Sequence, residues 1–265
     1  MVSAAEAFDR SSARFEFVRE LGFTTPMGRV IAARTIDAGT VLLAGLRHRG
    51  DLLEARDTLL ECGAERVFVD GAYGRTVAGD GRVVRGVVLS TGAALAVDVA
   101  DIVERTRAAA EQLAMPSPHR ESVEELGSRA IEQRRVLARI DGERVVLSEK
   151  SAIVDSDWSA SQRFSQTDVV AFGGALTDGV VEELLRRAGP EGTIVVASPA
   201  SIQTSPQHWR RLRESGWSLR AVHPVELLAV SVNPTGLQGR RLQGASLVDE
   251  IRRALPDTLV FDPLD

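Results

Sequence analysis

Two neighbouring segments decide how this chain is read: Arg66-Val67-Phe68-Val69-Asp70-Gly71-Ala72-Tyr73-Gly74-Arg75, then Gly86-Val87-Val88-Leu89-Ser90-Thr91-Gly92-Ala93-Ala94. In each, a short run of apolar β-formers stops at an acid or a hydroxyl followed by glycine. Buried strands of α/β sheets are near-continuous apolar runs, and ligands sit just beyond their carboxyl ends. The pattern therefore predicts two strands whose ends project Asp70, Ser90 and Thr91 into one crevice. Gly71 and Gly92 would let backbone come close to a ligand there.

Outward from this stretch, the remaining chain alternates in the same way. Ser11 or Ser12 can cap a first helix carrying Phe15, Val18 and Leu21 at helical spacing, closed by Gly22. Thr24 to Gly28 reads as a turn. Arg29–Ile36 and Thr40–Ala44 read as strands about an Asp37-Ala38-Gly39 turn. Asp51 caps a helix through Cys62, with Glu54 in the capping-box position and Gly63 as the stop. Val97–Leu113 is a long helix, Met115-Pro116-Ser117-Pro118-His119 a linker, and Glu121–Arg134 a charged, exposed helix. Asp141-Gly142 between Val136–Ile140 and Arg144–Leu147 is a hairpin signal.

The last third supplies strands at Asp168–Phe172, Thr193–Ala197, Leu227–Val232 and Thr258–Phe261. Helices are expected at Gly179–Ala188, Pro206–Glu214 and Ala245–Ala254. The expected fold is α/β: an open, mostly parallel sheet with flanking helices and a small β-hairpin insert. Two α/β halves, 1–115 and 168–265, would form one continuous sheet, with 116–167 as linker, charged helix and hairpin.

Composition narrows the partners. The 265 residues are 44% apolar and 26% charged, as in an ordinary globular protein. A net charge of -5 gives no general attraction to nucleic acid or to an anionic membrane surface. The one cysteine, Cys62, excludes an intrachain disulfide and a cysteine metal cluster, and it fits a buried helix position. No uncharged run approaches the roughly 18 apolar residues of a membrane-spanning helix, and the first thirty residues lack the apolar core of a signal peptide. A cytoplasmic location is expected. The 32 basic residues include a single lysine, Lys150.

Each candidate site has a functional and a structural explanation. Asp70 suits the acid that holds a water-bound magnesium in phosphate-binding α/β proteins, or the cap of the turn Gly71–Arg75. Ser90-Thr91-Gly92 opens a helix, where free backbone N–H groups favour an anion, or is a cap with a close-packing glycine. Gly173-Gly174-Ala175-Leu176-Thr177-Asp178 carries the same two explanations. Asn233, ahead of Pro234, could read the edge of a base with donor and acceptor, or form an Asx-turn. Arg47, His48 and Arg49 form a basic loop tip. No G-x-x-x-x-G-K-[ST], G-x-G-x-x-G after a strand, G-x-S-x-G or H-E-x-x-H occurs, and no nucleophile–base pair stands out.

The order of these pieces is more specific than any one of them. Thr25-Pro26-Met27-Gly28-Arg29-Val30, Leu43-Ala44-Gly45, Val67-Phe68-Val69-Asp70-Gly71-Ala72 with Arg75, and Leu89-Ser90-Thr91-Gly92-Ala93 follow one another. Then come Gly174-Ala175-Leu176-Thr177-Asp178, Val230-Ser231-Val232-Asn233-Pro234 and Phe261-Asp262. From Phe15 onward, most weakly over 116–167, this order resembles the smaller, P-loop subunit of the reactivase for lysine 5,6-aminomutase and ornithine 4,5-aminomutase.

That resemblance implies a P-loop-NTPase-like fold and an accessory protein. With a larger ATPase subunit and ATP, it would renew a cobalamin- and PLP-dependent aminomutase whose cobalamin has been inactivated. Asp70 takes the place of the magnesium-side acid, and Asn233 that of a base contact. The family's Gly-Lys-Thr phosphate loop precedes the Thr-Pro-Met-Gly region and does not occur in this sequence, so a degenerate or truncated nucleotide-binding subunit is expected. If a strand bearing that loop is missing, an exposed sheet edge would favour a homodimer. Two other classes stay open: an enzyme acting on a phosphorylated or carboxylated small molecule through Asp70, Thr91 and Thr177, and a non-catalytic scaffold.

Overall fold

The computed structural model describes residues 1–43, 46, 48–70, 79–155, 157–160, 164–189, 191–236, 239, 242 and 244–263. The chain divides into two compact units, Met1–Ala78 and Gly79–Asp265.

In the first unit the elements are β1 (Val2–Ala4), α1 (Ala5–Asp9), β2 (Phe15–Thr25), β3 (Gly28–Thr35) and α2 (Arg49–Glu61). The strands form an antiparallel sheet in the order β1-β3-β2. Leu21, Val30, Ala32, Leu46 and Ala55 make its core. The helix expected over Phe15–Leu21 is instead most of β2. The turn before Gly28, whose φ is +94°, sends the chain straight back on itself, and only a strand can pair with that return. Helix α2 starts ahead of Asp51, and Glu54 accepts a hydrogen bond from the Gly22 N–H at 3.0 Å rather than closing a capping box.

The two readings on which this unit most depended change. Residues 66–70 are not a strand, and Phe68 is 90% exposed. An apolar run becomes a strand only where a neighbour completes its hydrogen bonds, and among the described residues none pairs with this one. Residues 40–43 are likewise outside any strand. Ala44, Gly45, Arg47 and the turn Gly71–Arg75 lie outside the described residues.

The second unit opens with β4 (Gly86–Gly92), α3 (Val99–Leu113), α4 (Glu121–Gln133), β5 (Val136–Ile140) and β6 (Glu143–Ser148). It continues with β7 (Thr167–Phe172), β8 (Leu176–Thr177), α5 (Asp178–Arg187), β9 (Gly192–Val196), β10 (Ile202–Gln203) and α6 (Pro206–Glu214). The last elements are β11 (Trp217–Ala221), β12 (Glu226–Asn233), α7 (Gly244–Ala254) and β13 (Val260–Phe261).

A mixed five-stranded sheet, β11-β9-β7-β5-β6, is its centre. Strands β7, β9 and β11 are parallel, whereas β5 runs antiparallel to both β7 and β6. Period-two alternation turns β7 into a strand buried on both faces. Val169 and Ala171 meet Val123, Leu126 and Ala130 of α4, so that helix is amphipathic rather than simply exposed. Val170 and Phe172 meet Val180, Leu184 and Leu212 from α5 and α6, with Trp158 and Phe164. The hairpin β5–β6, expected as an insert, completes this sheet; Asp141 (φ 52°) and Gly142 (φ +82°) make its turn.

Strands β13-β12-β4 form a separate, all-parallel sheet. Val230, Val232 and Val260 pack with Ile102 of α3 and with Leu247, Val248 and Ile251 of α7. The fold is thus mixed α/β, with several parallel and mixed sheets flanked by helices, in place of the one continuous sheet expected. Among the described residues no helix is long and apolar enough to cross a membrane.

Candidate functional site

Four of the residues singled out from sequence meet at the carboxyl ends of β4 and β12. The parallel ladder sets Ser90 beside Ser231, Thr91 beside Val232 and Gly92 beside Asn233. The Ser90 and Ser231 hydroxyls share one hydrogen bond at 3.0 Å, which leaves one O–H of the pair to donate elsewhere. Thr91 is tied down: its hydroxyl lies 2.6 Å from that of Thr106, whose own proton goes to the Ile102 carbonyl at 2.7 Å.

Past these residues the ladder closes on itself. The Ala93 N–H donates to the Asn233 carbonyl at 2.9 Å, so it does not serve as an anion donor. Asn233 Oδ1 accepts from the Thr235 N–H at 2.8 Å, an Asx-turn. Asn233 is exposed, and its side-chain NH2 has no hydrogen-bond partner among the described residues. The site therefore presents donors, an amide NH2 and a hydroxyl, to a ligand rich in acceptors.

The second group, Gly173, Gly174 and Thr177, follows β7 in the five-stranded sheet. Gly173 donates its N–H to the Arg135 carbonyl at 2.8 Å, and a Cβ there would stand 2.1 Å from the Ala130 carbonyl oxygen. A Cβ on Gly174 would lie 2.9 Å from that of Ser151. Both close approaches are made to the chain itself. Thr177 is the N-cap residue of α5, without a capping hydrogen bond from its side chain. Asp70 belongs to the first unit, where it is exposed at the end of the unpaired segment 66–70.

Immediately after Thr177 the structure assembles a cluster that sequence reading did not find. The β8–β10 ladder, Leu176 beside Ile202 and Thr177 beside Gln203, brings the starts of α5 and α6 together. Ser205 caps α6, and its Oγ lies 2.8 Å from His208 Nδ1. His208 Nε2 lies 2.9 Å from Glu182 Oε1. Asp178 Oδ1 accepts from the Ser205 N–H at 2.7 Å, and its Oδ2 is 3.2 Å from His208 Nδ1. Arg211 approaches Glu182 at 4.0 Å.

The signal for this cluster was present in two pieces: Asp178 and Glu182 share a face of α5 at i, i+4, and Ser205 and His208 are i, i+3 on α6. Alongside runs an open groove of about 370 Å³ lined by Gly179, Glu182, Glu183, Leu185, Arg186 and Arg211. The two carboxylates face different nitrogens of the ring, an arrangement unsuited to a shared cation. Among the described residues no group of three His, Cys, Asp or Glu side chains could hold a metal ion.

No protein-family model matches this chain, and neither a curated protein nor a solved structure matches it.

Proposed function

We propose that this chain is a reactivase-like accessory protein. It works with a larger ATPase subunit on a cobalamin- and PLP-dependent aminomutase, as a nucleotide-binding subunit. The observation that carries the reading is the β4–β12 ladder. It joins two of the ordered motifs, Leu89-Ser90-Thr91-Gly92-Ala93 and Val230-Ser231-Val232-Asn233-Pro234, across a sequence separation of 141 residues at Ser90 and Ser231. Carboxyl ends of neighbouring parallel strands are the usual ligand position in α/β sheets.

The groups offered there, an amide NH2 and a hydroxyl, are neutral donors; they suit acceptor atoms of a nucleotide's base and ribose but lack the positive charge that grips phosphates. With the Ala93 N–H already committed to Asn233, gripping the phosphates falls to the larger subunit. Asp70 enters this reading through the motif order alone, as the acid on the magnesium side.

Titration of Mg-ATP into the purified chain by calorimetry tests it, beside Asn233→Ala and Asp70→Ala, followed by mixing with an aminomutase carrying inactivated cobalamin. The expectation is measurable binding, weakened about tenfold by Asn233→Ala through loss of one hydrogen bond to the ligand. Asp70→Ala should weaken binding only when magnesium is present. A chain that neither binds nucleotide nor associates with the aminomutase overturns the proposal.

A further inference from the structure

We propose that Ser205, His208 and Glu182 form a nucleophile–base–orienter relay for acyl transfer from small esters, an activity separate from the nucleotide reading. The supporting geometry is the pair of short contacts on one imidazole, 2.8 Å from Nδ1 to Ser205 Oγ and 2.9 Å from Nε2 to Glu182 Oε1. The shorter carboxylate contact, 2.9 Å at Nε2 from Glu182 against 3.2 Å at Nδ1 from Asp178, favours the proton on Nε2 and leaves the Nδ1 lone pair to accept the serine proton. This is the role pattern of a serine hydrolase triad, which is recognised by geometry rather than by sequence position.

The surroundings favour the same step. Ser205 sits at the N-cap of α6, where the positive end of the helix dipole stabilises developing negative charge on its oxygen. The His208 backbone N–H also points to that oxygen, at 3.4 Å. Asp178 fixes the nucleophile's backbone by accepting its N–H, while its second oxygen, 3.2 Å from Nδ1, faces the imidazolium as it forms. The His208 side chain is 15% exposed, sheltered enough to hold its geometry yet within reach of solvent. The other charge close to the ring's surroundings is Arg211, beside Glu182. With Arg186, itself paired to Glu183, it lines the adjoining groove beside Glu182 and Glu183, so the charges offset one another and small uncharged acyl donors are the expected substrates.

In the first half-reaction Ser205 Oγ bonds to the acyl carbon as its proton passes to His208 Nδ1, and the carbonyl electrons move onto oxygen. Collapse of the adduct breaks the bond to the leaving alkoxide, which takes the proton from Nδ1. Water then attacks the acyl-serine, giving its proton to Nδ1, and the acid leaves as Ser205 is reprotonated. Ser205 and His208 are the catalytic residues; Glu182 and Asp178 position them.

The test is reaction of the folded chain with a fluorophosphonate probe, the labelled residue being located by peptide mass spectrometry, together with turnover of p-nitrophenyl acetate. Labelling should fall on Ser205, and His208→Ala should slow it about 100-fold, the usual contribution of a general base. Added imidazole should restore part of that loss, which a purely structural role for His208 would not allow. Glu182→Gln, whose amide oxygen can still accept from Nε2, should keep most of the labelling rate, whereas Glu182→Leu should lose about tenfold. Absence of label on Ser205 in the folded protein overturns the proposal, as does an equal rate in His208→Ala. Both readouts are independent of nucleotide, so failure of one proposal leaves the other standing.

Discussion

Gly92 lies directly under the backbone carbonyl of Asn233: a Cβ at this glycine would stand 1.9 Å from that oxygen, at a φ of +150°. The clash is with backbone on the partner strand, so it cannot be relieved by turning a side chain. Gly92→Ala should therefore destabilise the protein by about 2–4 kcal/mol and weaken the junction of β4 and β12. Urea unfolding measures this. Gly179→Ala is the matched control, because nothing lies within 4 Å of its Cβ position; it should be neutral or stabilising by up to about 1 kcal/mol.

Gly142 isolates the cost of backbone conformation. It has a φ of +82° and nothing within 4 Å of a Cβ, so Gly142→Ala meets strain without any clash. The expected loss is about 1–2 kcal/mol, smaller than that at Gly92, read by the same unfolding experiment.

Trp158 packs edge-on against both Phe164, at 5.3 Å, and Phe172, at 5.2 Å. Trp158→Ala removes the centre of this trio and should cost about 3–5 kcal/mol, with loss of near-ultraviolet circular dichroism. Trp158→Phe keeps most of the packing and should cost less than half as much.

Acid sensitivity has identifiable sources. Hydrogen bonds from the Arg14 backbone N–H and then its guanidinium hold the Asp37 carboxyl below its ordinary value. The Ser148 hydroxyl, then the Asp157 N–H and the charge of Lys150, do the same at Asp155. A depressed folded-state value stabilises the protein above the unfolded value near 4 and is lost as pH falls through the folded one. Asp37→Asn and Asp155→Asn should each be less stable than the parent at pH 7, and the gap should close as pH falls through the depressed folded-state values. Both residues are half-buried with solvent-accessible carboxylates, so the differences in urea midpoint should be small.

The sequence was most legible where a local rule coincided with tertiary packing. Asp141-Gly142 specified its hairpin, Pro206 began α6, and the Gly63 stop ended α2. Phe15, Val18 and Leu21 misled because three apolar residues at helical spacing also fit one long strand, and a turn further along the chain settles between the two. Residues 66–70 misled for a related reason, since β-formers do not specify a partner. β11 went unread: in Trp217-Ser218-Leu219-Arg220-Ala221 the buried Trp217, Leu219 and Ala221 alternate with half-buried polar residues, a weak signal over five positions.

Of the candidate site, Ser90, Thr91, Gly92 and Asn233 were each legible as strand ends, but the crevice expected for Ser90 and Thr91 held Asp70, and their pairing with the strand of Asn233 was not legible. Nor were the contacts of His208 with Asp178 and Glu182. They depend on β8 pairing with β10, a two-residue ladder that no periodicity announces.

The β4–β12 pairing also constrains how the chain comes to exist. Ser90 leaves the ribosome 141 residues ahead of Ser231, its neighbour in the finished sheet. At translation speeds of about 5–20 residues per second, β4 waits on the order of ten seconds for its partner. Within that interval β5, β6, β7 and β9 can pair, while Val87, Val88 and Leu89 remain an unpaired apolar strand. Newborn chains are thus most open to aggregation, and to capture by a chaperone, through the very segment that later holds the candidate site.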